Sequence, residues 1–311
     1  MRIFVGSRFG QLLGLACQLK GHDVRFYVQE RECRGIGQGI VPGTTVLGRL
    51  VLPSGVPVRD TLNALMFTRP DVVILDDPIF SRFAALCVEQ VSVFMPPAGE
   101  VTGLKVLGWH TNGLHRLMAC WEWDTIMPEG LGAKALVTMC LLRPLGGTKL
   151  EDFFVESHLA KLEGVYGPFM AGIEPGVPET FSLGTPSWRS IYASLDGCSL
   201  DHLLNGVDTE TAPWYAGVLV SLPPHPFRLP APATFVTVKE AEKHVWPLDL
   251  ALTPTGETVS VHGTGAFVTA TGTSPRKALD RAARTAHNVQ AEFKQFRTDG
   301  NLELQSLDGW L

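Results

Sequence analysis

No two of the six cysteines lie close enough for a CxxC zinc or redox motif. Cys17, Cys33, Cys87, Cys120, Cys140 and Cys198 sit mostly in apolar stretches, as buried free thiols do, and a reducing cytoplasm is the expected compartment. Long hydrophobic runs are missing as well. None approaches the ~20 residues needed to span a bilayer, so no membrane partner is expected. Arg2 is followed by neither an apolar h-region nor a cleavage site, so no signal peptide is expected. Positive charge is not in excess: 26 Lys and Arg stand against 31 Asp and Glu, a net charge of -5. That balance excludes a broad basic surface for nucleic acid. The nucleophile elbow G-x-S-x-G and a P-loop lysine are both absent. His110 and His115 are five apart, which does not stack them on one helix face with Glu122 and Asp124, and no metal site is assigned there. No order of Ser, His and Asp can be singled out, and the catalytic residues stay unassigned.

What is present fits a globular α/β protein. The chain has 311 residues, 45% hydrophobic and 18% charged, enough for two or three domains with real cores. Ile3 to Val5 reads as a buried strand and Gly6 to Gly10 as a turn. Leu12, Leu15, Ala16 and Leu19 then recur at helical spacing, Gly21 caps the helix, and Val24 to Val28 is a second strand. Such a crossover implies a parallel sheet. "PDVVILDD" (70–77) and "VSVFM" (91–95) continue it, and the stretch "PPAGEVTG" sets a domain boundary near residue 97.

From 98 to 216 the pattern is less regular. "ALVTMCLL" (135–142) reads as a strand, and Trp109, Trp121, Trp123, Trp188 and Trp214 gather here, as aromatics do in a core or an interface. From 217 to 311 the chain is β-rich until Ser274, an N-cap, and Pro275, a first helical residue. The helix that follows puts Ala278, Leu279, Ala282, Ala286 and Val289 on one face. Its arginines read as a solvated face.

Gly6, Gly10 and Gly14 form GxxxGxxxG rather than the dinucleotide GxGxxG. Glycines before a helix N-terminus suit a phosphate, and they equally suit an ordinary tight turn. Asp76 and Asp77 end a parallel strand, where ligands gather. They suit a sugar hydroxyl or an amine, and Asp77 equally suits a helix cap.

Four stretches together resemble the glycinamide ribonucleotide synthetase (phosphoribosylamine–glycine ligase) family of the ATP-grasp superfamily. They are "MRIFVGSRFGQLLGLACQLKGHDVRFYV", "PDVVILDD", "FFVESHLAKLEGVYGPFMAG", and "GVLVSLPPHPF" with "HGTGAFVTATGTSPRKALDRAARTAHNV". The resemblance implies an α/β fold in three parts. These are a parallel-sheet, Rossmann-like pre-ATP-grasp domain over 1–97, a reduced ATP-grasp body over 98–216, and a small β-rich C-terminal domain with a terminal helix over 217–311. It implies ATP-dependent joining of an amine to a carboxylate through an acyl phosphate, with ATP and magnesium as cofactors and a place in purine biosynthesis. The ligand- and phosphate-binding residues it implies are Gly6, Ser7, Arg8, Gly10 and Gln11, with Asp76 and Asp77 facing the same pocket. The expected partners are a small phosphorylated ligand and, among proteins, a second copy or an active paralogue.

The departures from the family are as informative. The chain is shorter than a full member, and the shortfall falls near 98–135, where the family carries its nucleotide-binding lysine and Gly-rich loop. Nothing like "KPxGxxxGKG" occurs. The stretch nearest the metal-binding E-x-N-x-R-x-G is "LGTPSWR", which puts Leu183 at the Glu position and Thr185 at the Asn position. Magnesium takes hard oxygen ligands, and without it the charge developing in phosphoryl transfer is uncompensated. Three readings follow: a degenerate synthetase relative that keeps a phosphate or nucleotide pocket, a working ligase whose metal ligands lie elsewhere (Glu151, Asp152 or Glu156), or a non-enzymatic protein with an aromatic interface.

Overall fold

Runs of β-branched and aromatic residues cut by glycine and proline put most of the described residues in sheet. In the computed structural model the residues described are 2–5, 22–26, 45–46, 49–50, 69–74, 92–94, 99–110, 114–127, 135–146, 162, 167–174, 181–196, 212–223, 235–237, 244–247, 250–252, 258–260, 263–305 and 307. Near the N-terminus, β1 (Arg2–Val5), β2 (Asp23–Phe26), β5 (Val72–Ile74) and β6 (Ser92–Phe94) pair in parallel in the order β2-β1-β5-β6. Between them, β3 (Thr45–Val46) and β4 (Arg49–Leu50) form a small hairpin. Ile3, Phe4 and the whole of β5 are buried, as expected of a sheet covered on both faces.

The main body is one eight-stranded sheet. It takes β7 (Leu104–His110), β8 (Leu114–Met127), β9 (Ala135–Pro144), β10 (Gly167–Ile173), β11 (Phe181–Gly184), β12 (Trp214–Ser221), β14 (Val245–Pro247) and β17 (Thr264–Gly272). The order is β11-β10-β7-β8-β9-β12-β17-β14, and the pairs are antiparallel. Residue 217 lies inside β12, so this sheet draws strands from both the middle and the last third of the chain. Short pairs complete the β structure: β13 (Phe235–Thr237) with β18 (Val289–Ala291), and β15 (Leu250–Leu252) with β16 (Thr258–Ser260).

Strand alternation sends side chains to opposite faces. On one face Leu107, Trp109, Cys120, Cys140, Tyr215 and Phe267 form a core with Ile191 and Tyr192 of helix α1 (Trp188–Ser194). On the other, Val218, Val220, Ala266 and Val268 pack with Ala278, Leu279, Ala282 and Ala286 of helix α2 (Pro275–Asn288). Val106, Leu117, Phe169 and Ala171 form a third cluster. Burying a side chain such as Leu279 is worth about 1.5–3 kcal/mol.

Both helices start on a capping serine. Ser187 accepts from Arg189 N–H (3.1 Å), and Ser274 accepts from Lys277 N–H (3.3 Å) with Pro275 entering the first turn. The Ser274–Pro275 start and the apolar stripe of α2 lie where the sequence places them. Val289 is buried too, but it leaves the helix to begin β18. Helix α2 crosses β17 so closely that a Cβ on Gly272 would lie 2.4 Å from the Ala278 nitrogen. A final helix, α3 (Gly300–Gln305), follows.

A β-bulge shifts the register between Leu107 and Trp109, and Arg116 opposite it takes φ 49°. That turn carries a buried guanidinium beneath α1. It donates to the Ser194 carbonyl and to the Tyr215 hydroxyl (3.2 Å). The tryptophans expected in a core or an interface are core here. Trp109 and Trp214 are buried, and Trp121, Trp123 and Trp188 pack half-buried against the apolar clusters.

Candidate functional site

Antiparallel register lines up polar side chains on the face of the sheet under α1. Glu122 sits opposite Cys140, Cys140 opposite Gly217, and Gly217 opposite Thr269. The row ends beside His244, which directly precedes the Val245–Val268 pair. One row further on, Asp124 sits opposite Thr138. Asp124 Oδ1 accepts from Thr138 Oγ1 (2.5 Å) and from Arg189 Nη1 (3.4 Å). Glu122 Oε1 and Arg189 Nε are buried without a hydrogen bond among the described residues. Burial pushes the Cys120 and Cys140 thiols well above the usual range, with the Glu122 carboxylate adding to the shift, which disfavours the thiolate.

At the far end, Asp196 comes just after α1 with a side chain only 3% exposed. A carboxylate accepts and cannot donate, so His244 Nδ1 carries the proton in its 2.8 Å bond to Asp196 Oδ1. Thr269 Oγ1 donates to the same oxygen (2.9 Å) and accepts from Trp246 Nε1 (3.4 Å). Asp196 Oδ2 is buried and unpartnered among the described residues. Fixing Nδ1 in this way leaves Nε2 as the ring nitrogen available to other groups. His244 also lines a cavity of about 350 Å³ with Thr269, Thr271, Arg281, Arg284 and Asn288. The cavity opens where β14 stops pairing with β17 and α2 passes alongside. Arg281 Nη1 is held by the Thr271 carbonyl (2.9 Å) and Arg284 Nε by the Asp280 carbonyl (3.3 Å). The arginines read as solvated in the sequence are exposed, and Arg281 and Arg284 also edge this cavity.

The residues expected to bind phosphate, Gly6, Ser7, Arg8, Gly10 and Gln11, lie outside the described residues, as do Asp76, Asp77, Glu151, Asp152 and Glu156. Leu183 and Thr185 are described. Leu183 lies on the edge strand β11 and packs against the Val106–Phe169–Ala171 cluster, while Thr185 is exposed beyond the strand end. That surrounding does not fit a magnesium ion, which needs several oxygen ligands. Among the described residues no three His, Cys, Asp or Glu side chains converge on a point where an ion could sit. No described helix is long and apolar enough to cross a membrane. The Asp196–His244 pair and its arginines carried no signal in the sequence, because no local spacing joins them.

No family model and no curated protein matches this chain. Its fold, mixed α/β with a large antiparallel sheet, does match known structures. Phosphoribosylamine–glycine ligase from Thermotoga maritima is similar over 96% of this chain and 100% of that chain, at 13% identity and a TM-score of 0.57. The biotin carboxylase–β-γ-ATP complex from Campylobacter jejuni is similar over 98% of this chain and 95% of that one, at 9% identity and a TM-score of 0.51. Pyruvate carboxylase from Rhizobium etli matches 95% of this chain, which spans 36% of that enzyme, at 9% identity and a TM-score of 0.50.

Proposed function

We propose that this chain is a phosphoribosylamine–glycine ligase-like protein that keeps a pocket for a small phosphorylated ligand and lacks the full apparatus for ATP and magnesium. The fold likeness supports the class, and the order of the four resembling stretches supports the particular relative. The observation that carries the loss of magnesium is Leu183. It stands where the resemblance puts a metal carboxylate, and it is packed into an apolar cluster instead. A carboxylate there would be partly desolvated against that cluster, and among the described residues no three His, Cys, Asp or Glu side chains converge to hold an ion. The ligand pocket of this reading is the glycine loop, Gly6 to Gln11, with Asp76 and Asp77. The protein is expected in the cytoplasm and away from nucleic acid, in line with its acidic balance.

Thermal unfolding tests both halves, since a ligand that binds only the folded state raises the melting temperature by mass action. Ribose 5-phosphate should raise it, and Gly10→Val should abolish that shift, because a branched side chain crowds the approach of a phosphate. ATP with magnesium should give no shift and no ADP, with or without glycine. ADP formation on adding an amine and glycine would mean a working ligase with relocated metal ligands. Absence of any ribose 5-phosphate effect would remove the pocket.

A further inference from the structure

Among the described residues Arg281 and Arg284 form no ion pair, and their hydrogen bonds go to backbone carbonyls. Elsewhere on the same helix, Arg276 is matched with Asp280 (3.7 Å). Two guanidinium groups one turn apart, with no carboxylate paired to either among the described residues, therefore line the cavity, each anchored by one of its nitrogens. His244 lines the same cavity, and because Asp196 holds its Nδ1, Nε2 is left for a ligand. Thr271, Thr285 and Asn288 add neutral donors. Asp196 itself does not line the cavity, and its Oδ1 is occupied by His244 and Thr269.

We propose that this cavity binds a phosphate group, carried by a small ligand or free, with Arg281 and Arg284 neutralising it and His244 Nε2 completing its hydrogen bonds. A tetrahedral dianion matches two separate cations and donors spread around it better than a planar carboxylate does. The cavity volume lies at the low end for small-molecule sites, enough for a phosphate with a few carbons attached. Holding Nδ1 on a buried carboxylate fixes the imidazole in place before a ligand arrives, which limits the ordering cost of binding. The inference uses no residue of the glycine loop and stands or falls separately from the reading above.

Calorimetric titration of the full chain with inorganic phosphate, glycerol 3-phosphate, glycerol and acetate tests it. Saturable binding of the phosphates, with glycerol and acetate inert, is the expected result. Tighter binding of glycerol 3-phosphate than of inorganic phosphate would mark a phosphomonoester as the natural source, and equal binding would mark free phosphate. Arg281→Gln with Arg284→Gln should weaken the phosphates by roughly tenfold or more. His244→Gln should weaken them less, and Arg276→Gln should leave them unchanged. Melting curves without ligand check that each variant folds, and His244→Gln serves if the double variant does not. Phosphate binding that is absent, that persists in both Arg281/Arg284 and His244 variants, or that acetate matches would overturn the proposal. The persistent case would leave the glycine-loop reading intact.

Discussion

His244 donates to Asp196 across 2.8 Å, and this bond joins the end of α1 to the edge of the eight-stranded sheet. With Thr269 on the same carboxylate oxygen, one buried side chain gathers a helix end, a central strand and an edge strand. Replacing Asp196 by Ala should therefore cost about 1–3 kcal/mol, since it strands two donors that were paired. Asn, which keeps an acceptor oxygen, should cost less. Urea unfolding followed by tryptophan fluorescence measures both, and equal stability of Ala and wild type would refute the anchoring role.

Gly217 sits where two bulky neighbours meet. A Cβ there would lie 2.1 Å from Phe267 Cζ and 2.9 Å from Cys140 Sγ. Gly217→Ala should destabilise by about 1–3 kcal/mol through overpacking. Combining it with Phe267→Leu should recover part of that loss, which a double-mutant cycle would read directly.

Acid should loosen the C-terminal segment first. Arg297, nearly fully buried, grips Asp299 through Nε (2.8 Å) and Nη2 (2.7 Å), and this hydrogen bonding holds the Asp299 carboxyl below the usual range. A carboxyl lowered in the folded state contributes stability above its unfolded value of about 3.9, and that contribution disappears as pH falls through the folded value. Asp299→Asn should therefore be less stable than wild type near neutrality, and the gap should close only as pH falls through the lowered folded value of Asp299. Urea midpoints across that range decide it, and a constant gap would exclude the linkage.

Restoring a carboxylate at the expected metal position should not restore chemistry. Leu183→Glu places a charge against Val106, Phe169 and Ala171, so it should lower the melting temperature and yield no ATP turnover. A coupled ADP assay on the folded variant is the measurement, and turnover there would show that only one ligand was missing.

Local physics was enough for some of the elements, though not for the strands at 104–110, 114–127 and 167–173. Ser274 and Pro275 announced the start of α2, its alanines and Leu279 announced the buried stripe, and the β-branched runs at 3–5, 72–74 and 264–272 lie on strands. The resemblance of four separated stretches also anticipated a fold similar to that of the Thermotoga maritima phosphoribosylamine–glycine ligase. Each of these features depends on residues within a turn of helix or a few positions of strand, which a linear chain displays.

The tertiary structure alone decided the rest. Asp196 and His244 are 48 residues apart, and Arg281 and Arg284 come from a helix later still. They come together because sheet register sets Thr269 beside His244 and because α2 packs back against β17. Register and crossing are set by cooperative burial across the whole sheet, so no spacing along the chain encodes which polar groups will converge.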